Sequence, residues 1–151
     1  MYSNIRKMTA DDRLSVIEMM RPFYASEYVS TNGSEAIFNA DIDACISDSP
    51  YAEGYVFESD GAIQGYAMIA KSFSTEFGKP CIWIEDIYVK EEFRGEGIGS
   101  KFFAYIENEY PDTLLRLEVE AENKRALHVY ERAGFDFLPS LEMKKLCRKK
   151  N

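Results

Sequence analysis

A glycine-rich turn between a predicted strand and a predicted helix restricts the fold of this chain more than any other feature. The turn runs from Arg94 to Ser100, has glycines at positions 95, 97 and 99, and follows the apolar run Ile82 to Val89. These glycines leave backbone N–H groups uncovered where a helix begins, and the helix dipole favours an anion there. We therefore expect a strand–loop–helix unit that binds a diphosphate, with Arg94 adding a positive charge at its mouth.

Two better-known phosphate loops do not fit this turn. A Walker loop requires Gly-x-x-x-x-Gly-Lys-Ser/Thr, whereas Gly99-Ser100-Lys101 has the wrong order and spacing. A dinucleotide loop requires Gly-x-Gly-x-x-Gly, whereas Gly95 to Gly99 reads Gly-x-Gly-x-Gly. A nucleotide-binding protein is therefore disfavoured. A tight strand-to-helix connection without a ligand stays open, because glycine serves turns freely.

The strand before the turn contains a phase slip. Ile82 and Ile84 place apolar residues on even positions, but Ile87 and Val89 place them on odd positions. A slip of one residue at Glu85-Asp86 predicts a β-bulge, and bulges re-aim backbone groups near active sites. The alternative is a fully buried strand with loose alternation.

The rest of the chain predicts one domain over residues 1–151, without internal repeats or linkers. We expect an α/β (α+β) fold with a mixed, mostly antiparallel sheet and about four helices. The predicted elements are a helix from Thr9 to about Pro22, a helix from Ser34 to Ile46 with Ser34 as cap, a hairpin of 54–58 and 62–69 around Asp60-Gly61, a helix 97–110, a strand 115–122, a helix 123–133 ended by Gly134, and closing strands 135–138 and 141–146.

Composition excludes several classes of function. The net charge of −8 disfavours a nucleic-acid binder and mildly favours a cationic partner. No apolar run approaches the roughly 18 residues of a membrane span, and no signal stretch opens the chain, so we expect a cytoplasmic protein. One histidine, His128, and three unpaired cysteines predict no metal site and no disulfide framework.

With both central motifs, the sequence resembles the GNAT superfamily of N-acetyltransferases. Its signature Arg/Gln-x-x-Gly-x-Gly/Ala after a bulged strand is met by Arg94 to Gly99. A second signature, Asn-x-x-Ala-x-x-Φ-Tyr-x-x-x-Gly-Phe, is met from Asn123 to Phe135. The close match covers Ile82 to Phe135, whereas residues 1–80 agree only in the order of elements. The resemblance implies a GNAT-like fold with a splayed, bulged strand.

The resemblance also implies roles for individual residues. Acetyl-CoA is the implied cosubstrate, bound by main-chain groups of the strand, by the glycine-rich loop and by the start of the last helix. The residues concerned are Ile87, Tyr88 and Val89; Arg94, Gly95, Glu96, Gly97, Ile98, Gly99 and Ser100; and Asn123 and Tyr130. Tyr130 would protonate the leaving thiolate, and Glu85 would deprotonate the amine directly or through water.

Each catalytic residue keeps a structural alternative. Tyr130 could be a core aromatic residue and Asn123 a plain helix cap. Glu85 could belong to a structural ion pair or accept hydrogen bonds from loop amides, and Asp86 is the expected structural partner at the bulge.

The expected activity is direct acetyl transfer to a primary amine of a polyamine, an amino sugar or a peptide. The acceptor would lie over Glu85, bounded by Tyr24, Tyr28 and the second helix. The alternative function is a catalytically silent acyl-CoA-binding sensor domain. Dimers are common among similar enzymes, so the resemblance also allows a homodimer.

Overall fold

The computed structural model describes residues 4–26 and 33–150, which hold four α-helices and five β-strands. In chain order these are β1 (Ile5–Lys7), α1 (Arg13–Ala25), α2 (Glu35–Ile46), β2 (Ala52–Ser59), β3 (Ala62–Ser74), β4 (Lys79–Val89), α3 (Ile98–Glu109), β5 (Leu114–Leu117) and α4 (Lys124–Arg132). None of these helices has the length and apolar character needed to cross a membrane.

The five strands form a single sheet in the order β1-β2-β3-β4-β5. Neighbouring strands are antiparallel except for β4 and β5, which run parallel. The predicted hairpin is confirmed: Asp60 and Gly61 have φ values of 51° and 78°, the two positive values that a type I′ turn requires. The expected mixed, mostly antiparallel sheet is therefore confirmed.

Alternation along the strands divides the core between the two faces of the sheet. Tyr55 and Phe57 lie on one face, with Phe102 and Ile106 of α3. Val56 lies on the opposite face, with buried residues of α1 and α2. Because side chains alternate along a strand, one hydrophobic run supplies both layers. The sheet therefore separates a glycine-loop side, covered by α3, from a side covered by α1 and α2.

Helix α1 ends later than the sequence predicts. The helix continues through Pro22 to Ala25, although proline removes one backbone hydrogen bond. The ring of Phe23 lies edge-on to Tyr24 and Tyr66, and Tyr24 packs against Phe38 of α2. These tertiary contacts stabilise a last turn that the helix alone would lose.

The C-terminal part of the sheet is shorter than predicted. Strand β5 spans only Leu114–Leu117, instead of 115–122, and the expected closing strands 135–138 and 141–146 are wrong. Within the described ranges no strand pairs with the outer edge of β5, and the apolar side chains of Leu141 and Met143 are 98% and 94% exposed. A strand forms only where ladder hydrogen bonds are available, and here the alternating pattern lacks a partner. The short strand β1 was missed because three residues carry too little pattern.

Candidate active site

Strands β4 and β5 separate in the middle of β4. Their parallel pairing runs from Cys81 opposite Leu114 to Ile84 opposite Leu117, where β5 ends. Strand β4 continues to Val89. Beyond Ile84, this edge of β4 has no strand partner among the described residues. The sheet is therefore open at this point, and backbone polar groups of β4 face the opening.

A bulge lies where the pairing ends. Asp86 pairs with Met68 and Ile84 pairs with Ile69, so Glu85 has no opposite residue on β3. The phase slip therefore predicted the bulge correctly, and the alternative of a loosely alternating buried strand is wrong. An extra residue bends the strand and redirects its backbone groups, which places Glu85 at the start of the opening.

The hydrogen bonds to β3 determine which β4 groups face the opening. The N–H of Lys90 donates to the carbonyl of Gln64 at 2.8 Å, so the main-chain polar groups of Lys90 face β3. In an antiparallel pair this direction alternates from residue to residue. The main-chain groups of Tyr88 therefore also face β3, and those of Ile87 and Val89 face the open edge. The carbonyl of Val89 accepts from Arg94 Nε at 2.8 Å on that open side. Of the three residues expected to pair with a cofactor arm, Ile87 and Val89 present their main chain to the opening, whereas the main chain of Tyr88 faces β3.

The glycine-rich loop follows this open edge after one short 3-10 turn, Glu91–Phe93. Gly95 and Gly97 have φ values of 85° and 78°, and a Cβ added to either would meet nothing within 4 Å. The six N–H groups from Gly95 to Ser100 have no acceptor among the described residues. The first amides of a helix have no intrahelical partner, and they favour an anion. An exposed row of free donors over open space fits a diphosphate.

The remaining loop residues hold the loop against the sheet. The Arg94 guanidinium lies 5.4 Å from the centre of the Tyr88 ring, while its Nε is fixed to Val89. Ile98 packs against the core beneath α3, and a Cβ on Gly99 would lie 3.8 Å from Ile87. The side chains of Glu96 and Ser100 are exposed, so only their main-chain groups belong to the row of donors.

Helix α4 supplies the two residues of the second motif. The Asn123 Oδ1 accepts from the N–H of Ala126 at 3.3 Å, so the expected helix-cap interaction is present. The Tyr130 ring packs edge-on against Phe103 at 5.8 Å and Phe135 at 6.1 Å, as the core alternative expects. Burial raises the pKa of Tyr130. Its hydroxyl has no hydrogen-bond partner among the described residues and is not sealed from solvent.

Glu85 and Asp86 are adjacent, but they lie in opposite environments. Glu85 is exposed, and it forms no ion pair within the described ranges. Desolvation by the surrounding protein, with the charges of Glu142 and Asp41, raises its pKa. Asp86 is 3% exposed and accepts hydrogen bonds from Tyr24 at 2.9 Å and Tyr66 at 2.7 Å. The expectation that Asp86 is the structural partner at the bulge is confirmed.

Further carboxyl groups interact electrostatically with Glu85. Asp41 on α2 has a raised pKa because of burial, and its charge acts on both Glu85 and Asp86. Burial and a hydrogen bond with Glu142 raise the pKa of Glu118 to about 7. Within the described residues no group of three or more His, Cys, Asp or Glu side chains could hold a metal ion. The sequence signal for Asp41 was an acid on the inward face of an amphipathic helix.

Trp83 and Tyr24 are two aromatic residues of this region that each contact a charged side chain. The Arg116 guanidinium lies 4.7 Å from the centre of the Trp83 ring, which places one positive charge on the same part of the sheet. Tyr24 lies in the last turn of α1 and points its hydroxyl at Asp86. Tyr28, the other aromatic residue expected beside the acceptor, lies outside the described residues.

Comparison with known proteins gives one family and several relatives. The model of the family described as "Acetyltransferase (GNAT) family" matches residues 15–135. Thialysine N-epsilon-acetyltransferase of Sus scrofa is 32% identical over 143 residues, which cover 86% of this chain and 82% of that protein. The protein of the same name from Bos taurus is 41% identical over 83 residues, which cover 53% of this chain but only 48% of the relative.

Solved structures support the fold. The structure titled AAC(6')-Iy in complex with the bisubstrate analog CoA-S-monomethyl-acetylneamine superimposes with a TM-score of 0.76. The superposition covers 95% of this chain and 97% of that one, at 17% sequence identity. At this identity the likeness establishes a shared fold.

Proposed function

The chain belongs to the Acetyltransferase (GNAT) family, and from this premise we propose that it transfers the acetyl group of acetyl-CoA directly to a primary amine of a small cationic molecule. The observation that carries the proposal is the open edge of β4, which is followed after one short turn by the six free amides of the glycine-rich loop. A ligand with an extended arm attached to a diphosphate matches both the open edge and the row of amides.

The donor side has groups that suit the pantetheine arm and the diphosphate of acetyl-CoA. The pantetheine arm would pair with Ile87 and Val89 as an added strand does, through main-chain hydrogen bonds. The diphosphate would lie over the amides from Gly95 to Ser100, beside Arg94. The Asn123 side chain uses only its oxygen in capping α4, so its Nδ2 donor is available to the arm.

The reaction builds negative charge on the thioester oxygen. The neutral amine attacks the acetyl carbon, the C–S bond breaks, and the CoA thiolate leaves while the new amide loses one proton. A β4 N–H freed at the bulge is the donor that stabilises the developing oxyanion. A fixed donor of this kind typically lowers the activation free energy by about 3 kcal/mol.

Tyr130 is the proposed donor to the leaving thiolate. Because burial raises its pKa, the phenol is fully protonated at neutral pH. Free thiols have a pKa of roughly 8.5 and phenols one of about 10, so complete proton transfer to the thiolate is uphill. Tyr130 therefore assists by a strong hydrogen bond to sulfur as the C–S bond breaks.

Glu85 is the proposed base. Glu85 is the unpaired residue of the bulge, where the carbonyl that the amine attacks would lie, and its exposure gives access to water. A raised pKa makes the carboxylate a better proton acceptor than an ordinary glutamate. The proton is removed directly or through one water molecule.

The charges on this side of the sheet favour a cationic acceptor. The charges of Asp41 and Glu142 act on Glu85, and those of Glu142 and Glu85 act on Glu118. The neighbourhood of Glu85 is therefore rich in negative charge. Aliphatic primary amines are cations at neutral pH, since their pKa is roughly 10.4. The relatives named for thialysine N-epsilon acetylation support an aliphatic amine of this kind.

The test is release of free CoA thiol from acetyl-CoA in the presence of different amines. The panel contains thialysine, a diamine, an aminoglycoside and a peptide with a free amine. We expect turnover with at least one cationic amine, and the highest kcat/KM with the aliphatic amines. Thermal stabilisation by CoA without turnover on any amine would support a silent sensor domain. Stabilisation by ATP but not by CoA would refute the assignment of the loop.

A further inference from the structure

Asp86 is a buried carboxyl group without a cation. It is 3% exposed, lies on β4, and forms no ion pair within the described ranges. Among the residues that the structure describes, its two oxygens accept hydrogen bonds from the neutral hydroxyls of Tyr24 and Tyr66 and from no other group. Burying a carboxylate with such partners is costly, and an apolar side chain would pack at lower cost. A purely stabilising role therefore does not account for the residue.

The two hydrogen bonds differ in what they connect. Tyr66 lies on β3, the strand next to β4, and is fully buried, so its bond stays within the sheet. Tyr24 lies in the last turn of α1, so its bond joins a helix to the sheet. Of these two hydrogen bonds, only the one from Tyr24 ties the end of α1 to the bulge.

The end of α1 depends on tertiary contacts. Pro22 lacks an N–H group, so the last turn has one helical hydrogen bond fewer than usual. Phe23 compensates with edge-on contacts to Tyr66 and Tyr88, both at 6.3 Å. The Tyr24 hydroxyl adds the directional contact, because aromatic packing alone tolerates sliding.

We propose that Asp86 is a positioning residue that, through Tyr24, fixes the last turn of α1 against the bulge that presents Glu85. This turn forms one wall of the proposed acceptor site, so its position sets the fit of the amine. In this role Asp86 would touch neither substrate and would act through Tyr24. The inference rests on the proposed function.

The matched pair Tyr24→Phe and Tyr66→Phe tests the inference. Each variant removes one hydroxyl from the same carboxylate, so each deprives Asp86 of one donor, but only Tyr24→Phe detaches the helix. We expect Tyr24→Phe to raise the KM for the amine about tenfold, which corresponds to about 1.4 kcal/mol. Its KM for acetyl-CoA should stay within twofold. Tyr66→Phe should leave both KM values within twofold, even where it lowers the melting temperature.

The variant Asp86→Asn separates position from charge. An amide can accept from one tyrosine and donate to the other, so both contacts survive without the charge. We expect this variant to keep the amine KM within threefold of the wild type.

Three results would overturn the inference. These are equal amine KM values for Tyr24→Phe and Tyr66→Phe, an equal rise in both KM values for Tyr24→Phe, or a tenfold rise in the amine KM for Asp86→Asn. Wild-type protein without turnover on any amine would instead refute the proposed function, so the two failures are distinguishable.

Discussion

Replacing Gly97 by alanine separates the cofactor role of the loop from its backbone geometry. Gly97 is the N-cap of α3 and has a φ of 78°, in the left-handed region. Its added Cβ would meet no protein atom within 4 Å. The methyl group therefore occupies the open space over the free amides, where we place the diphosphate.

The structure provides a matched control at Gly61. Gly61 also has a φ of 78°, lies in the β2–β3 hairpin turn, and would likewise have nothing within 4 Å of an added Cβ. Alanine in this conformation costs about 1 kcal/mol, so both variants should lose similar stability. A hydrogen bond to a charged group is worth about 1.5–3 kcal/mol. Losing one amide–phosphate bond at Gly97 should therefore raise the KM for acetyl-CoA about 10- to 100-fold.

Steady-state thiol release at varied acetyl-CoA and fixed saturating amine measures this effect, with thermal unfolding as the check on stability. Gly97→Ala should raise the acetyl-CoA KM and leave the amine KM within twofold, while Gly61→Ala changes neither. Equal acetyl-CoA KM values in both variants at matched stability would refute the reasoning, because strain alone would then explain the loss.

Three further variants test the proposed chemistry. Tyr130→Phe keeps the ring contacts with Phe103 and Phe135 and removes a hydrogen bond to a charged sulfur, which is worth about 1.5–3 kcal/mol. It should therefore lower kcat about 10- to 100-fold with little change in the acetyl-CoA KM, and an unchanged kcat removes Tyr130 from the mechanism. Glu85→Gln should abolish the acidic limb of the kcat/KM profile, since the base works only above its raised pKa; a limb that persists assigns the base elsewhere. Burial raises the pKa of Asp86 to about 6 from its usual 3.8, so the folded state binds the proton more tightly and stability falls as pH rises through this window. Denaturant titrations at pH 4 and 7 should show Asp86→Asn gaining about 2 kcal/mol relative to the wild type over that interval, and parallel curves would contradict the raised pKa.

Patterns confined to neighbouring residues predicted much of the fold. Ser34 accepts from Ile37 and caps α2, and Asp60-Gly61 forms its turn. Both depend on contacts within a few residues, which a sequence displays directly. The end of α1 and the closing strands depended on partners far along the chain. Pro22 indicated a stop that packing of Phe23 overrode, and the apolar residues of 135–146 indicated strands for which no ladder partner is described.

The candidate site divides in the same way. By itself the sequence determined the glycine-rich loop and the bulge at Glu85, because glycine spacing and an alternation slip record backbone conformation residue by residue. Only the tertiary structure decided that β5 ends opposite Ile84, which leaves the edge of β4 open. Only the tertiary structure placed Tyr24, 62 positions from Asp86, within 2.9 Å of its carboxylate. The end of a strand pairing and a contact between a helix and a sheet both depend on how distant elements pack together. A pattern within a few neighbouring residues does not encode that packing.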